Sequence, residues 1–231
     1  MNKKVLKLAL VTSLVAAISL PSVSSAIPRD GWQKSSNDWY YYSRGVQEVN
    51  TWKKINKKWY YFGNNGKKYV PGSSFGEKKI GERKYAFDSS GAMVVGWVNV
   101  VDTTNDTITD YRYYNKDGTI RTGWYSIQPP DALSSQYDDE VEWFYFDNQG
   151  VPQASGTNEL KAANIVKISG KQYLFGKNGN PMTGLKKVYI DDAGNYSAYY
   201  FGGSDEAYVH TGKHNIKQSD GETETYYFQE G

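Results

Sequence analysis

Aromatic side chains are the residues of this 231-residue sequence whose type and spacing could support chemistry. It contains 7 Trp, 21 Tyr and 8 Phe, and many of them stand in four-residue blocks such as WYYY at 39–42 and WYYF at 59–62. The face of such a ring attracts a cation by about 0.5–2 kcal/mol, depending on desolvation, and sugars stack on the same face. Several weak sites that face a polymer reinforce each other through effective concentration. The composition therefore indicates a weak, repeated binder.

The aromatic block occurs eight times, with Phe or Tyr at its fourth position every time. The blocks are residues 39–42, 59–62, 84–87, 111–114, 143–146, 172–175, 198–201 and 225–228. Successive fourth positions are separated by 20 residues from Tyr42 to Phe62 and by 32 residues from Tyr114 to Phe146. Gly and Asn follow most blocks and supply the positive φ angles that tight turns require. Each unit therefore predicts a block strand, a turn and a second short strand.

These units predict an all-β solenoid of stacked β-hairpins, built from about eight repeats over residues 27–231. A single hairpin is marginally stable in water, whereas hairpins in series bury their rings against their neighbours. No sustained helical periodicity follows the first 26 residues. A β-sandwich is the alternative architecture. The variable spacing predicts longer loops or extended strand ends at 101–110 and 129–142.

The two faces of the block strand predict different roles. Side chains alternate along a strand, so positions one and three share one face and positions two and four the other. We expect the second and fourth positions to pack the array, and the first and third to meet a ligand. Trp or Tyr at position one, Tyr at position three and an upstream Trp occur together in units one, two, four and five. This predicts ligand-type repeats over 31–155 and degenerate repeats over 156–231. The alternative is that every ring is core.

Three stretches carry a resemblance to a known family. Residues 31–41, residues 52–66 and Gly123-Trp124 resemble the cell-wall-binding repeats of Gram-positive surface proteins. That family includes choline-binding modules and, more distantly, glucan-binding and clostridial-toxin carbohydrate-binding repeats. The resemblance extends over 31–228 and implies a β-hairpin solenoid without catalytic activity.

In choline-binding modules a quaternary ammonium is caged by three rings. They are the Gly-Trp tryptophan, the first aromatic of the block and a Tyr from a neighbouring hairpin. Carried over by position, the resemblance implies these ligand-binding residues: Trp32, Trp39, Trp52, Trp59, Tyr61, Trp97, Tyr111, Tyr113, Trp124, Trp143 and Tyr145. The implied partners are choline on teichoic acid, a glucan or peptidoglycan. The alternative function is a structural or adhesin-type protein that contacts another protein or a host carbohydrate.

The first 26 residues predict a secretory signal peptide. Lys3, Lys4 and Lys7 precede an apolar run over 8–20, and small residues close the segment at 24–26, as in cleaved leaders. The run is short for an uncleaved anchor, the alternative, which needs about 20 apolar residues. Removing the segment changes the net charge from 27 − 25 = +2 to 24 − 25 = −1. This balance argues against a nucleic-acid partner. We expect a secreted, wall-associated protein without a membrane span.

The remaining residue types argue against catalysis. The absence of Cys excludes disulfides, zinc ribbons and thiol catalysis. His210 and His214 have metal-like spacing, but Gly212 between them predicts a turn rather than a helix facing both rings. The acidic clusters at 138–140 and 191–192 lack the spacing of a calcium loop. We therefore predict no catalytic residue, cofactor or metal. A homodimer through the C-terminal hairpin is a further prediction, because that hairpin presents an unpaired edge.

Overall fold

The computed structural model describes residues 29–101 and 106–229. Within these ranges eight antiparallel β-hairpins follow one another along the chain, and the first carries a third short strand. The strands are β1 Gly31–Ser35, β2 Asp38–Ser43, β3 Val46–Gln47, β4 Thr51–Ile55, β5 Lys58–Phe62, β6 Phe75–Ile80, β7 Arg83–Asp88, β8 Gly96–Asn99, β9 Tyr111–Tyr114, β10 Gly123–Ile127, β11 Glu142–Phe146, β12 Val166–Ile168, β13 Lys171–Tyr173, β14 Leu185–Tyr189, β15 Tyr196–Tyr200, β16 Gly212–Lys217 and β17 Thr223–Phe228. The expected signal peptide at 1–26 lies outside the described residues. Among the described residues, no helix has the length and apolar character needed to cross a membrane.

Each hairpin pairs an aromatic block with the strand that precedes it. Trp52 lies opposite Tyr61 and Ile55 opposite Lys58, which leaves two residues in the turn. Those residues, Asn56 and Lys57, have φ angles of 50° and 69°, as two-residue hairpin turns require. The predicted order of block, turn and second strand is therefore wrong. The turns after the blocks connect one hairpin to the next.

The segment after each connecting turn ties two hairpins together. The Lys68 backbone N–H donates to the Trp39 carbonyl at 2.7 Å, and the Tyr69 N–H donates to the Tyr61 carbonyl at 2.8 Å. These hydrogen bonds satisfy backbone groups that would otherwise be buried without a hydrogen-bond partner. Gly91, in the next connecting turn, lets the backbone of that turn lie close to the backbone of Tyr69. It has a φ of +79°, and an added Cβ would lie 2.3 Å from the Tyr69 carbonyl oxygen. Hairpin stacking therefore includes backbone bonding as well as ring packing.

The core is a row of fourth-position rings. The fully buried ones are Phe62, Phe87, Tyr114, Phe146, Phe175 and Phe201. Each of several such rings contacts the tryptophan of the preceding hairpin, with centroids 5.6 Å apart for Trp52 and Phe87 and 5.8 Å apart for Trp124 and Phe175. Contacts of this kind join nearest neighbours in a solenoid. The predicted all-β hairpin solenoid is confirmed, in place of the alternative sandwich.

Short 3-10 helices occupy the longer insertions. They are Ile108–Asp110, Asp131–Gln136, Ala162–Asn164 and Ser204–Glu206. Ile108 and Leu133 from the first two are buried in one cluster with Tyr111, Phe144 and Phe146. The two insertions were expected to be loops or strand ends; they contain helical turns because each brings an aliphatic side chain to the core.

Candidate ligand-binding pockets between hairpins

Two consecutive hairpins build one aromatic pocket. In the first pocket, Trp32 and Trp39 come from opposite strands of one hairpin, with centroids 6.2 Å apart and planes at 85°. Tyr60, at the second block position of the next hairpin, lies 5.1 Å from Trp32, also at 85°. Perpendicular rings present the face of one to the edge of another. The three rings therefore enclose a space that no single hairpin could form.

The second pocket repeats this arrangement one hairpin later. Trp52 and Trp59 line it with Tyr85, whose ring centroid lies 4.8 Å from that of Trp52. Met93 completes the wall beside them. Trp59 is 40% exposed, so its ring is accessible from solvent.

The third pocket is built around Trp124, Trp143 and Tyr173. Trp124 lies 6.5 Å from Trp143 and 4.9 Å from Tyr173 between ring centroids. Tyr208 and Asp205, from a later hairpin connection, also line this pocket. It therefore combines residues from both sides of the predicted division at 155 and 156. The functional difference predicted between the repeats on the two sides of this division stays a prediction.

Unit four contains the same pattern as a filled core. Trp97 approaches Tyr111 at 6.4 Å and Phe144 at 5.4 Å between centroids, in the positions that form pockets elsewhere. Here Ile108 and Leu133 belong to the same packed cluster, and Tyr111 is only 6% exposed. The Trp97 indole N–H donates to the Gln128 carbonyl at 2.8 Å. Of the predicted site residues, Trp97 and Tyr111 are thus brought together in one packed cluster, in which Tyr111 is buried and Trp97 partly buried.

The third-position tyrosines lie behind the tryptophans. Tyr61, Tyr113 and Tyr145 pair with Trp52, Trp97 and Trp124 of their own hairpins, at centroid distances of 5.3, 5.4 and 5.2 Å. Tyr61 is 9% exposed, and its hydroxyl donates to the Asn50 side-chain oxygen at 2.8 Å. They support the pocket tryptophans from their own hairpins, and a direct role of these tyrosines in binding stays a prediction.

The second-position tyrosines Tyr60, Tyr85 and Tyr173 line the pockets, although they were not among the predicted site residues. The second position packs against the preceding hairpin, as expected, and it also lines the pockets. Side chains at this position point away from their own hairpin's tryptophan and therefore toward the preceding hairpin. Strand alternation combined with the order of stacking was the signal that could have identified them.

Lys68 places a cation inside the first pocket. Its Nζ lies 5.2 Å from the Trp32 centroid, 6.0 Å from Trp39 and 5.6 Å from Tyr60, within the range of cation–π attraction. It also donates a hydrogen bond to the Ser90 carbonyl at 2.8 Å. Burial lowers the pKa of the Lys68 ammonium, and the nearby Asp88 carboxylate opposes that shift.

The two histidines meet outside these pockets. His210 and His214 have ring centroids 5.4 Å apart, and His210 stacks on Tyr208 at 4.4 Å. Gly212 begins β16 instead of lying in a turn, and His214 on that strand lies beside His210. Over 29–101 and 106–229, no group of three or more His, Cys, Asp or Glu residues is arranged to hold a metal ion.

The fold and these pockets define a β-hairpin solenoid with aromatic cages between consecutive hairpins. Residues 30–43 and 50–68 match the choline-binding family model described as a cell wall binding repeat. The resemblance drawn from the sequence is therefore confirmed for the first two hairpins, which contain the matched residues. No curated protein matches the sequence.

Several solved structures are similar in fold. CbpJ from Streptococcus pneumoniae TIGR4 has 20% identity and a TM-score of 0.51, over 84% of this chain and 58% of that one. The choline-binding domain of CbpL from Streptococcus pneumoniae has 19% identity and a TM-score of 0.48, over 85% and 87% of the two chains. Choline binding protein F of the same species, crystallised with a peptidoglycan analogue, has 21% identity and a TM-score of 0.46, over 73% and 52%. This chain thus spans little more than half of CbpJ, and the likeness to CbpJ supports the hairpin solenoid.

Proposed function

We propose that this protein is a secreted, non-catalytic module that binds choline groups on cell-wall polymers through the second and third pockets. The observation that carries the proposal is the enclosure of each pocket by at least three rings from consecutive hairpins. The match of the first two hairpins to a cell wall binding repeat supports the same function. Secretion rests on the predicted signal peptide and is tested by the amino-terminal sequence of the exported protein, expected to begin at Ile27.

Ring orientation favours a compact cation over a flat sugar. Trp124 is tilted by 74° from Trp143 and by 55° from Tyr173. A sugar stacks on one open face, whereas tilted rings surround a small ligand and present several π faces to it. Quaternary ammonium ions are the ligands that such aromatic cages recognise.

The expected affinity per pocket is low and the array compensates for it. Three cation–π contacts of about 0.5–2 kcal/mol each supply a few kcal/mol. A millimolar site corresponds to about 4 kcal/mol. Two pockets on one rigid array facing a repeating polymer gain retention through effective concentration. Wall binding is therefore expected to be much tighter than binding of free choline.

A glycan is the second candidate ligand, and the polar side chains beside the third pocket are the observation that supports it. Ser204, Asp205 and Lys171 line that pocket with Trp143, so hydroxyl partners stand beside an exposed ring. The purely structural alternative fits less well, because Trp39, Trp59 and Trp143 are 39%, 40% and 48% exposed. A homodimer through the C-terminal hairpin stays a prediction.

The test is co-sedimentation of residues 27–231 with purified Gram-positive walls, with and without excess choline. We expect the protein to pellet, choline to release it, and Trp59→Ala and Trp143→Ala each to weaken retention. Tyr196→Ala is the matched control, since Tyr196 is 59% exposed and lies on β15, away from the three pockets. Pelleting that choline leaves unchanged would move the ligand to a glycan. No pelleting on any wall would favour the structural or adhesive alternative.

A further inference from the structure

The first and second pockets share a backbone frame, and the residue that follows the connecting turn differs between them. The second pocket is also lined by Lys116 and Asp117, where the first has Ser89 and Ser90. The Lys68 N–H donates to the Trp39 carbonyl at 2.7 Å, and the Met93 N–H donates to the Trp59 carbonyl at 2.8 Å. Both residues follow the connecting turn of the next hairpin and line the pocket of the preceding one. Position for position, a lysine in the first pocket thus replaces a methionine in the second.

Lys68 meets the requirements of a ligand for the first pocket. Its Nζ lies within 6.0 Å of all three ring centroids, and the Ser90 carbonyl accepts a hydrogen bond from it at 2.8 Å. A quaternary ammonium has no N–H and cannot replace that hydrogen bond. A second cation entering the same space would also be repelled by the first.

We propose that Lys68 is the resident cation of the first pocket and closes it to external quaternary ammonium ions. Between the first two pockets, the residue after the connecting turn then determines which one accepts a ligand: Lys68 closes the first and Met93 leaves the second open. The resident-cation part depends only on the contacts of Lys68, whereas the closing part rests on the proposed function.

The resident cation is tested without any ligand by NMR of the lysine ε-methylene groups in the chain 27–231. A side chain held over aromatic faces is shifted upfield by their ring currents, so Lys68 is expected upfield of the solvated lysines, as are Lys171 and Lys187, which lie over Tyr208 and Tyr196. Its signal is assigned by its loss in Lys68→Met. A Lys68 signal at the position of solvated lysines would overturn the proposal.

The closing role is tested by counting bound choline in a calorimetric titration. Lys68→Met removes the charge at similar length, and we expect it to add about one bound choline per chain. Met93→Lys is the reciprocal variant and should remove about one. Lys217→Met on β16 makes the same charge change outside the three pockets and should leave the number unchanged.

Two further measurements keep the outcomes distinct. Circular dichroism and thermal melting establish that each variant is folded, and Lys68→Gln replaces Lys68→Met if the latter is not. The closing role is overturned if Met93→Lys binds one choline fewer per chain than the parent protein while neither Lys68 variant binds one more. If no variant binds choline while the Lys68 signal is shifted upfield, the proposed ligand fails and the resident cation is supported.

Discussion

Lys68 and Met93 occupy equivalent backbone positions, each donating its N–H to the carbonyl of a pocket tryptophan, Trp39 and Trp59 respectively. The hydrogen bonds of 2.7 and 2.8 Å fix the backbone of both residues beside the pocket that each side chain lines. At this position the two pockets therefore differ in the side chain and share the backbone. A repeat array with a constant backbone can in this way vary the ligand preference of one pocket without disturbing the next.

The first prediction separates core rings from pocket rings. Phe87→Ala removes a fully buried ring and should lower the free energy of unfolding by about 3–5 kcal/mol. Trp59→Ala removes a ring that is 40% exposed and should cost about 1 kcal/mol. Urea unfolding followed by far-ultraviolet circular dichroism measures both. Equal losses would place Trp59 in the core and favour the structural alternative.

The second prediction concerns which tyrosine completes a pocket. Tyr85 lies 4.8 Å from Trp52 across the hairpin boundary, so Tyr85→Ala should weaken choline binding at the second pocket about 2–30-fold, the loss of one cation–π contact. Tyr61→Phe keeps the ring behind Trp52 and removes only its hydrogen bond to Asn50. This control should bind choline normally in the same titration. The reverse pattern would assign the site to the third block position.

The third prediction concerns the filled unit. Trp97 packs with Ile108 and Leu133, so Trp97→Ala should destabilise the protein by about 3–5 kcal/mol. The number and affinity of choline sites should stay constant as long as the protein is folded. Titration at a temperature well below the transition separates the two effects. Loss of one choline site in a fully folded variant would show that Trp97 belongs to a working pocket.

The fourth prediction concerns alkaline pH. Burial and a hydrogen bond to Glu77 raise the pKa of the Tyr114 hydroxyl, and burial with the Glu142 carboxylate nearby raises the pKa of Tyr137. Tyrosines in the unfolded chain ionise at about pH 10, while these two keep their protons in the folded protein. Their contribution to stability is therefore complete below about pH 10 and is lost as the pH rises above it.

Urea unfolding at about pH 8 and about pH 11 measures this dependence on alkaline ionisation. Tyr114→Phe should be less stable than the parent at the lower pH, because it lacks the bond to Glu77, but should lose less stability between the two pH values. Tyr227→Phe is the control, since Tyr227 is 76% exposed. If Tyr114→Phe lost as much stability between the two pH values as the parent protein, Tyr114 would not be a source of the pH dependence.

Much of this architecture could be predicted from local sequence patterns. The recurrence of a large ring at the fourth block position predicted the buried row that includes Phe62 and Phe87, because a hairpin array has few other side chains to bury. The pairing of Trp52 with Trp59 in one pocket also follows from a single hairpin. The order of strands within each unit was mistaken, since Gly and Asn occur in the connecting turns as well as in the hairpin turns.

Those local patterns did not predict the side-chain contacts between neighbouring hairpins. The repeat itself was enough to specify hairpins, buried rings and paired tryptophans, because strand alternation and turn chemistry act over a few residues. The tertiary structure alone determined that Tyr85 completes the second pocket, that Ile108 fills the pocket at Trp97, and that Lys68 enters the first pocket. Each of these side chains comes from a neighbouring hairpin or an insertion. Its position depends on how far one hairpin is offset from the next, which long-range hydrogen bonds and ring packing set together.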